Sequence, residues 1–192
     1  APSSNYLRRR DPISIADMMM TWILTWDRAY EDSLMYDPAA VPVFTVFESA
    51  FKGIKITSTD PLTIEYYSDS YSQDAELNAV GLWPWWNSGE LSFSAAAIAN
   101  SAEMSGELAY SAAKAVAAEI EQTSFIGGPS LEILLTHLDQ LIADQTIPYE
   151  ATLGQYITAE EAVARYEALK AWYEEKGLFW VGTGAYNLDQ VF

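Results

Sequence analysis

Apolar residues recur with helical spacing soon after the chain begins. In "SIADMMMTWILTW", Ile15, Met18, Met19, Trp22, Ile23 and Trp26 fall at i, i+3, i+4, i+7, i+8 and i+11, the stripe of an amphipathic helix lying on a core. Ser14 is placed to cap that helix, with Asp17 at its third position. In "YDPAAVPVFTVFESAFKG", Asp37 and Pro38 read as cap and first helical residue, although Pro42 leaves the start open. Ala40, Phe44, Phe47 and Phe51 stack on one side, and Gly53 is positioned as the stop. From Gly53 to Ser68 the period changes to two. Ile54, Ile56, Leu62, Ile64 and Tyr66 alternate with Lys55, Thr57, Thr63 and Glu65 about a "STDP" turn, which predicts a β-hairpin with one buried face.

Beyond "GLWPWW", an alanine-rich region from Ser94 to Thr123 predicts two closely packed helices broken near Ser105 and Gly106. "GGPS" (127–130) opens another helix, with Leu131, Leu134, Leu135, Leu138, Leu141 and Ile142 on a broad apolar stripe. The best-defined helix is the last. Thr158 and Glu161 form a capping box, and Ala162, Tyr166, Leu169 and Tyr173 make the inner face. Glu161 and Arg165 form an i,i+4 pair, and Gly177 stops the helix. After it, "LFWV" and "AYNL" read as two short strands joined through Gly182–Gly184. The expectation is one α+β domain over residues 1–192, mainly helical, with four to six helices on a small antiparallel sheet built from the hairpin and these terminal strands.

Composition narrows the function classes. The 192 residues are half hydrophobic and 14% aromatic, too apolar for a disordered chain and enough for a substantial core. Ten basic residues stand against 27 acidic ones, a net charge of −17, with "RRR" (8–10) the one basic run. Such a surface repels phosphate backbones and anionic membranes, so no nucleic-acid partner is expected. Without cysteine there is no disulfide framework, thiolate metal site or thiol chemistry. No apolar run reaches the ~18–20 residues of a membrane span, and "APSSNYLRRR" lacks the hydrophobic centre of a signal peptide. Any export signal or anchor is expected outside the chain.

Few residues carry chemical promise. His137 is the sole histidine, beside Leu138 on a leucine-rich helix, and reads as a boundary residue rather than a catalyst or metal ligand. The carboxylate pairs Glu160–Glu161 and Glu174–Glu175 belong to helix ends. "GTG" lacks both the P-loop lysine and the dinucleotide spacing. No cofactor and no covalent chemistry are expected. The most suggestive cluster is Trp83, Trp85 and Trp86 around Pro84. These indoles either fill the gap between the hairpin and the following helices or, Trp85 above all, offer a flat surface to a sugar ring or apolar peptide side chain.

Taken in order, "SIADMMMTWILTWDRAY", "FKGIKITSTDPLTIEYYSDSYSQDAE", "TAEEAVARYEALKAWYEEKG" and "FWVGTGAYNL" resemble landmarks of the extracellular solute-binding protein family 5, the peptide, dipeptide and nickel receptors of ABC importers. The likeness runs from about Ile13 to Leu188. Met18 stands where the family has valine, and Ala185 where its Gly-Thr-Gly-Pro-Tyr turn has proline. Family members are longer and two-lobed, so the resemblance implies part of lobe one of a type II periplasmic-binding-protein fold. It also implies an extracellular or periplasmic receptor, held to the membrane by an anchor outside the chain. Such a receptor would pass a small-molecule, peptide or oligosaccharide ligand to permease subunits. A homodimer through the face left by the missing lobe is a further expectation. Trp83, Trp85, Trp86 and Tyr186 are the candidate ligand contacts, none carried over from the family as a known one. Two readings from other classes stay open: a self-contained carbohydrate-binding or glycan-hydrolysing domain using the tryptophan cluster, and a structural or protein-interaction module.

Overall fold

The computed structural model describes residues 13–78, 91–181 and 188. Its order is α1 (Ile15–Asp27), α2 (Val41–Ala50), β1 (Phe51–Thr59), β2 (Leu62–Ser68), α3 (Ala75–Asn78), α4 (Phe93–Met104), β3 (Leu108–Ala109), α5 (Ala112–Ala118), β4 (Glu121–Gln122), α6 (Ser130–Ala143), α7 (Glu150–Leu153) and α8 (Ala159–Lys176). The class is α+β, about half helical, with a small two-stranded antiparallel sheet. Among the described residues no helix is long and apolar enough to cross a membrane.

The alanine-rich α4 is the centre of the packing, against α1, α6 and α8. Ala96, Ala99 and Ala102 are completely buried there, because small side chains let neighbouring helices approach closely. Met20, Phe93, Ile98, Leu134, Leu138, Leu153, Tyr166 and Phe179 fill the space around it. A second, aromatic cluster joins α1, α2 and the hairpin: Trp22, Phe44 and Phe47 are its buried members, with Trp26, Phe51, Ile54 and Tyr66 packed against them. Because α1 lies between the two clusters, it is buried on more than one stripe. Ala16, Met20 and Leu24, outside the predicted stripe, are its fully covered residues, whereas Met18, Met19, Ile23 and Trp26 are only half-buried.

The α1 cap forms as expected, with Ser14 and Asp17 in a reciprocal box, but Asp17 also reaches further. Its Oδ1 accepts from the Phe93 backbone N–H at 3.0 Å and its Oδ2 from Arg165 Nη1 at 3.0 Å, so one carboxylate ties together the ends of α1, α4 and α8. The predicted Glu161–Arg165 pair gives way to this arrangement. Glu161 Oε2 accepts from the Thr158 N–H at the cap, which leaves Arg165 for α1.

Other departures have equally local causes. The second helix starts at Val41 rather than Pro38 and ends at Ala50, because Asp37 is engaged elsewhere and the chain turns extended at Phe51. Gly53, expected to stop that helix, instead occupies a register shift inside β1 with φ +148°, a conformation that favours glycine. The hairpin pairs as predicted, Ile54 opposite Tyr66 and Ile56 opposite Ile64, but its apolar face is half-buried rather than buried. The expected strand "LFWV" does not form. Gly177 closes α8 in the left-handed region, and the next two residues turn inward: Leu178 and Phe179 are buried, Phe179 stacks on Tyr173 at 4.4 Å, and its N–H donates to the Phe125 carbonyl at 2.7 Å. Gly182–Gly184 and the segment Ala185–Asn187 lie outside the described residues. The second ladder among the described residues is parallel and two residues long, Leu108 with Glu121 and Ala109 with Gln122.

Candidate functional site

Trp83, Trp85, Trp86 and Tyr186 all lie outside the described residues. Glu160 and Glu161 are exposed in the first turn of α8, and Glu174 and Glu175 are exposed in its last. A cavity formed by described residues lies elsewhere, beside the C-terminal half of α4.

Its first wall follows from helical geometry. Ala97, Asn100, Ser101 and Met104 stand at i, i+3, i+4 and i+7 of α4 and make one stripe. Leu141 near the end of α6 faces them, and the loop of Thr146, Ile147, Pro148 and Tyr149 completes the enclosure. The loop is set by backbone and side chain together. Gln145 and Tyr149 take left-handed φ values of 52° and 51°, the Tyr166 hydroxyl donates to the Thr146 carbonyl at 3.1 Å, and the Tyr149 hydroxyl donates to Asp27 Oδ2 at 2.7 Å. Burial, reinforced by that bond to a carboxylate, pushes the Tyr149 hydroxyl far above its ordinary value, so it stays a neutral donor. The cavity holds about 300 Å3, its walls are mostly apolar, and no acidic or basic side chain lines it.

Two polar side chains interrupt the apolar lining. Asn100 is 2% exposed. Its Oδ1 accepts from the Tyr110 hydroxyl at 2.8 Å, and its Nδ2 has no hydrogen-bond partner. Behind it, Tyr110 belongs to a buried set of charges. Arg28 reaches Asp37 at 2.6 Å and Glu103 at 3.3 Å, Lys114 reaches Glu103 at 2.7 Å, the Tyr110 N–H donates to Glu103 at 2.6 Å, and the Arg28 guanidinium covers the Tyr110 ring at 4.9 Å. Two cations thus meet two anions, and Asn100 is held from the rear by a neutral, fully bonded assembly.

Ser101 is the other polar group. Its Oγ lies 2.8 Å from His137 Nδ1, while His137 Nε2 lies 2.8 Å from Glu107 Oε2. The carboxylate can only accept, so Nε2 carries a proton, and in the neutral imidazole Nδ1 then accepts from the Ser101 hydroxyl. His137 is buried, at 6% exposure, rather than a boundary residue, and it bridges α6 to α4 and the turn after it. The order serine, histidine, carboxylate is that of an activated nucleophile. Its setting differs: Ser101 is inside α4, where backbone N–H groups are committed to the helical ladder, and toward the C-terminal end, where the dipole opposes developing negative charge. The arrangement fastens two helices and orients the Ser101 hydroxyl.

Glu107 reports on that fastening. The His137 hydrogen bond, helped by Ser105, holds its carboxyl below the usual glutamate range. A lowered native pKa stabilises the fold above the unfolded-state value of about 4.3, and that contribution disappears as pH falls through the native value. The stability difference between the native protein and Glu107→Gln, measured by urea unfolding, should therefore be present at pH 5 and shrink as the pH falls below about 4.3.

None of this could be found from spacing. Ser101 and Glu107 are brought to His137 from 36 and 30 residues away, and the one local sign of the cavity is the polar pair Asn100–Ser101 inside an alanine run. Among the described residues, no group of three or more His, Asp or Glu side chains converges as metal ligands would. No known family model matches the chain, and no curated protein matches it either.

Proposed function

We propose that this chain is part of the substrate-binding component of an ABC importer, belonging to lobe one of a type II periplasmic-binding-protein fold. It captures a peptide, oligosaccharide or other small solute outside the cell and delivers it to permease subunits. Anchoring to the membrane and the closing half of the clamp are supplied by sequence outside this chain. Binding favours closure because only the closed state brings both lobes to the solute. Pairing of two copies through the face left by the missing lobe belongs to the same proposal.

One observation carries the reading: the cavity beside α4 combines mostly apolar walls with no donor set for a reaction intermediate, so it suits holding a molecule rather than transforming it. The order of three of the four landmark segments supports it, these three being discrete elements: the capped α1, the hairpin and the boxed α8. The test is calorimetric titration of the protein with di- to pentapeptides and with oligosaccharides, run beside turnover assays on chromogenic esters and glycosides. Saturable binding without turnover is expected. Ester or glycoside turnover that disappears in Ser101→Ala, or saturation by none of the solutes, would overturn the proposal.

A further inference from the structure

The cavity beside α4 presents less polar surface than the names of its lining residues suggest. Asn100, Ser101, Thr146 and Tyr149 all border it, yet three of them turn their polar ends to other groups. Asn100 Oδ1 receives the Tyr110 hydroxyl, and its Nδ2 is enclosed with essentially no accessible surface. The Ser101 hydroxyl is held by His137 Nδ1, and the Tyr149 hydroxyl by Asp27. What these side chains leave for the cavity is mostly carbon, in keeping with its mostly apolar walls. Thr146 is the remaining polar residue. Its N–H donates to the Leu141 carbonyl and its carbonyl accepts from Tyr166, so its hydroxyl is the group left over, on a half-buried loop that water reaches.

The walls also differ in depth. Ala97, Asn100 and Leu141, at 1%, 2% and 6% exposure, form the buried side, whereas Met104, at 47%, and the half-buried 146–149 loop border the open one. A hydroxyl or charge placed against the buried side gives up its water and receives no partner in exchange. Hydrocarbon placed there gains by leaving water. Met104 suits such a mouth, since an unbranched thioether adapts its shape to what it covers. About 300 Å3 is twice the roughly 150 Å3 apolar cavity that accepts a benzene ring, which is room for a body of up to about ten carbon atoms.

We infer that the cavity formed by α4, Leu141 and the 146–149 loop is a binding site for a small uncharged molecule with a hydrocarbon body, held by burial alone on its inner side and carrying any polar group at the Thr146–Met104 rim. The inference rests on the reading of this cavity as a place that holds a molecule, and it adds what is held. The bonds of Tyr149 to Asp27 and of Tyr166 to Thr146 keep the loop in place, so the space exists before the ligand arrives.

The experiment is methyl NMR of the 13C-labelled native protein, titrated with three para-substituted benzenes: p-xylene, hydroquinone and terephthalate. p-Xylene should saturate and give intermolecular NOEs to the Met104, Leu141 and Ile147 methyl groups. Hydroquinone has the same shape but opposed hydroxyls, only one of which can reach the rim. It should bind at least about fivefold more weakly, the smallest loss expected for a buried hydroxyl without a partner. Terephthalate, whose second carboxylate must face the buried side, should leave these signals unmoved. Failure of p-xylene to saturate, saturation without those contacts, or binding of hydroquinone or terephthalate as tight as that of p-xylene would overturn the inference. The importer reading fails separately. p-Xylene in the cavity of a protein that binds no peptide or oligosaccharide removes that reading and keeps the site, and peptide saturation with the three methyl groups untouched by p-xylene does the reverse.

Discussion

Replacing Arg28 with methionine should destabilise the protein by about 3–5 kcal/mol, the cost of breaking a buried ion pair from one side. Arg28 is 6% exposed, and its partners Asp37 and Glu103 are 0% and 3% exposed. Without the guanidinium, Asp37 keeps one backbone donor, the Ala39 N–H at 2.9 Å, for a full negative charge out of reach of water. Glu103 fares better, because Lys114 and the Tyr110 N–H remain. The loss should therefore come chiefly from Asp37. Urea unfolding of Arg28→Met, Asp37→Leu and the double variant separates these contributions: the double variant should recover a large part of the loss, since it removes the stranded charge along with its partner. A double variant as unstable as the sum of the singles would mean that the pair has no mutual dependence and that the arginine acts through Glu103 and its packing on Tyr110.

That network also marks where sequence reading stops. Asp37 looked like a helix cap because Asp-Pro before an apolar run is a local signal of helix entry. Its true partner lies nine residues earlier, and the next member of the network lies on α4, 75 residues from Arg28. No periodicity encodes such a meeting. By contrast, α8 was legible almost to the residue, since its start, inner face and stop depend on groups within a turn or two of one another: Thr158 with Glu161, the Ala162–Tyr166–Leu169 spacing, and Gly177. The hairpin was legible for the same reason. The "LFWV" segment misled because a short apolar run has no period of its own; docking of Phe179 on Tyr173 decided its path. The β3–β4 ladder, at two residues per strand, is too short to leave any pattern. The cavity was hidden in the alanine-rich run, which correctly announced close packing but not that one stripe of α4 would be left partly uncovered.

Phe93→Ala should be the other large loss, about 3–5 kcal/mol for emptying a fully buried aromatic site. Phe93 is 1% exposed, stacks on Tyr166 at 5.9 Å and lies under the Arg165 guanidinium at 5.7 Å. The site has little means of collapsing. The Phe93 backbone N–H is fixed to Asp17, Arg165 is held by the same carboxylate, and the Tyr166 hydroxyl is fixed to Thr146. The walls of the vacated space are thus tethered to three helices and a loop, and a cavity that cannot relax carries close to the full penalty. Phe93→Leu, which keeps much of the volume, should cost less than half as much in the same urea titration.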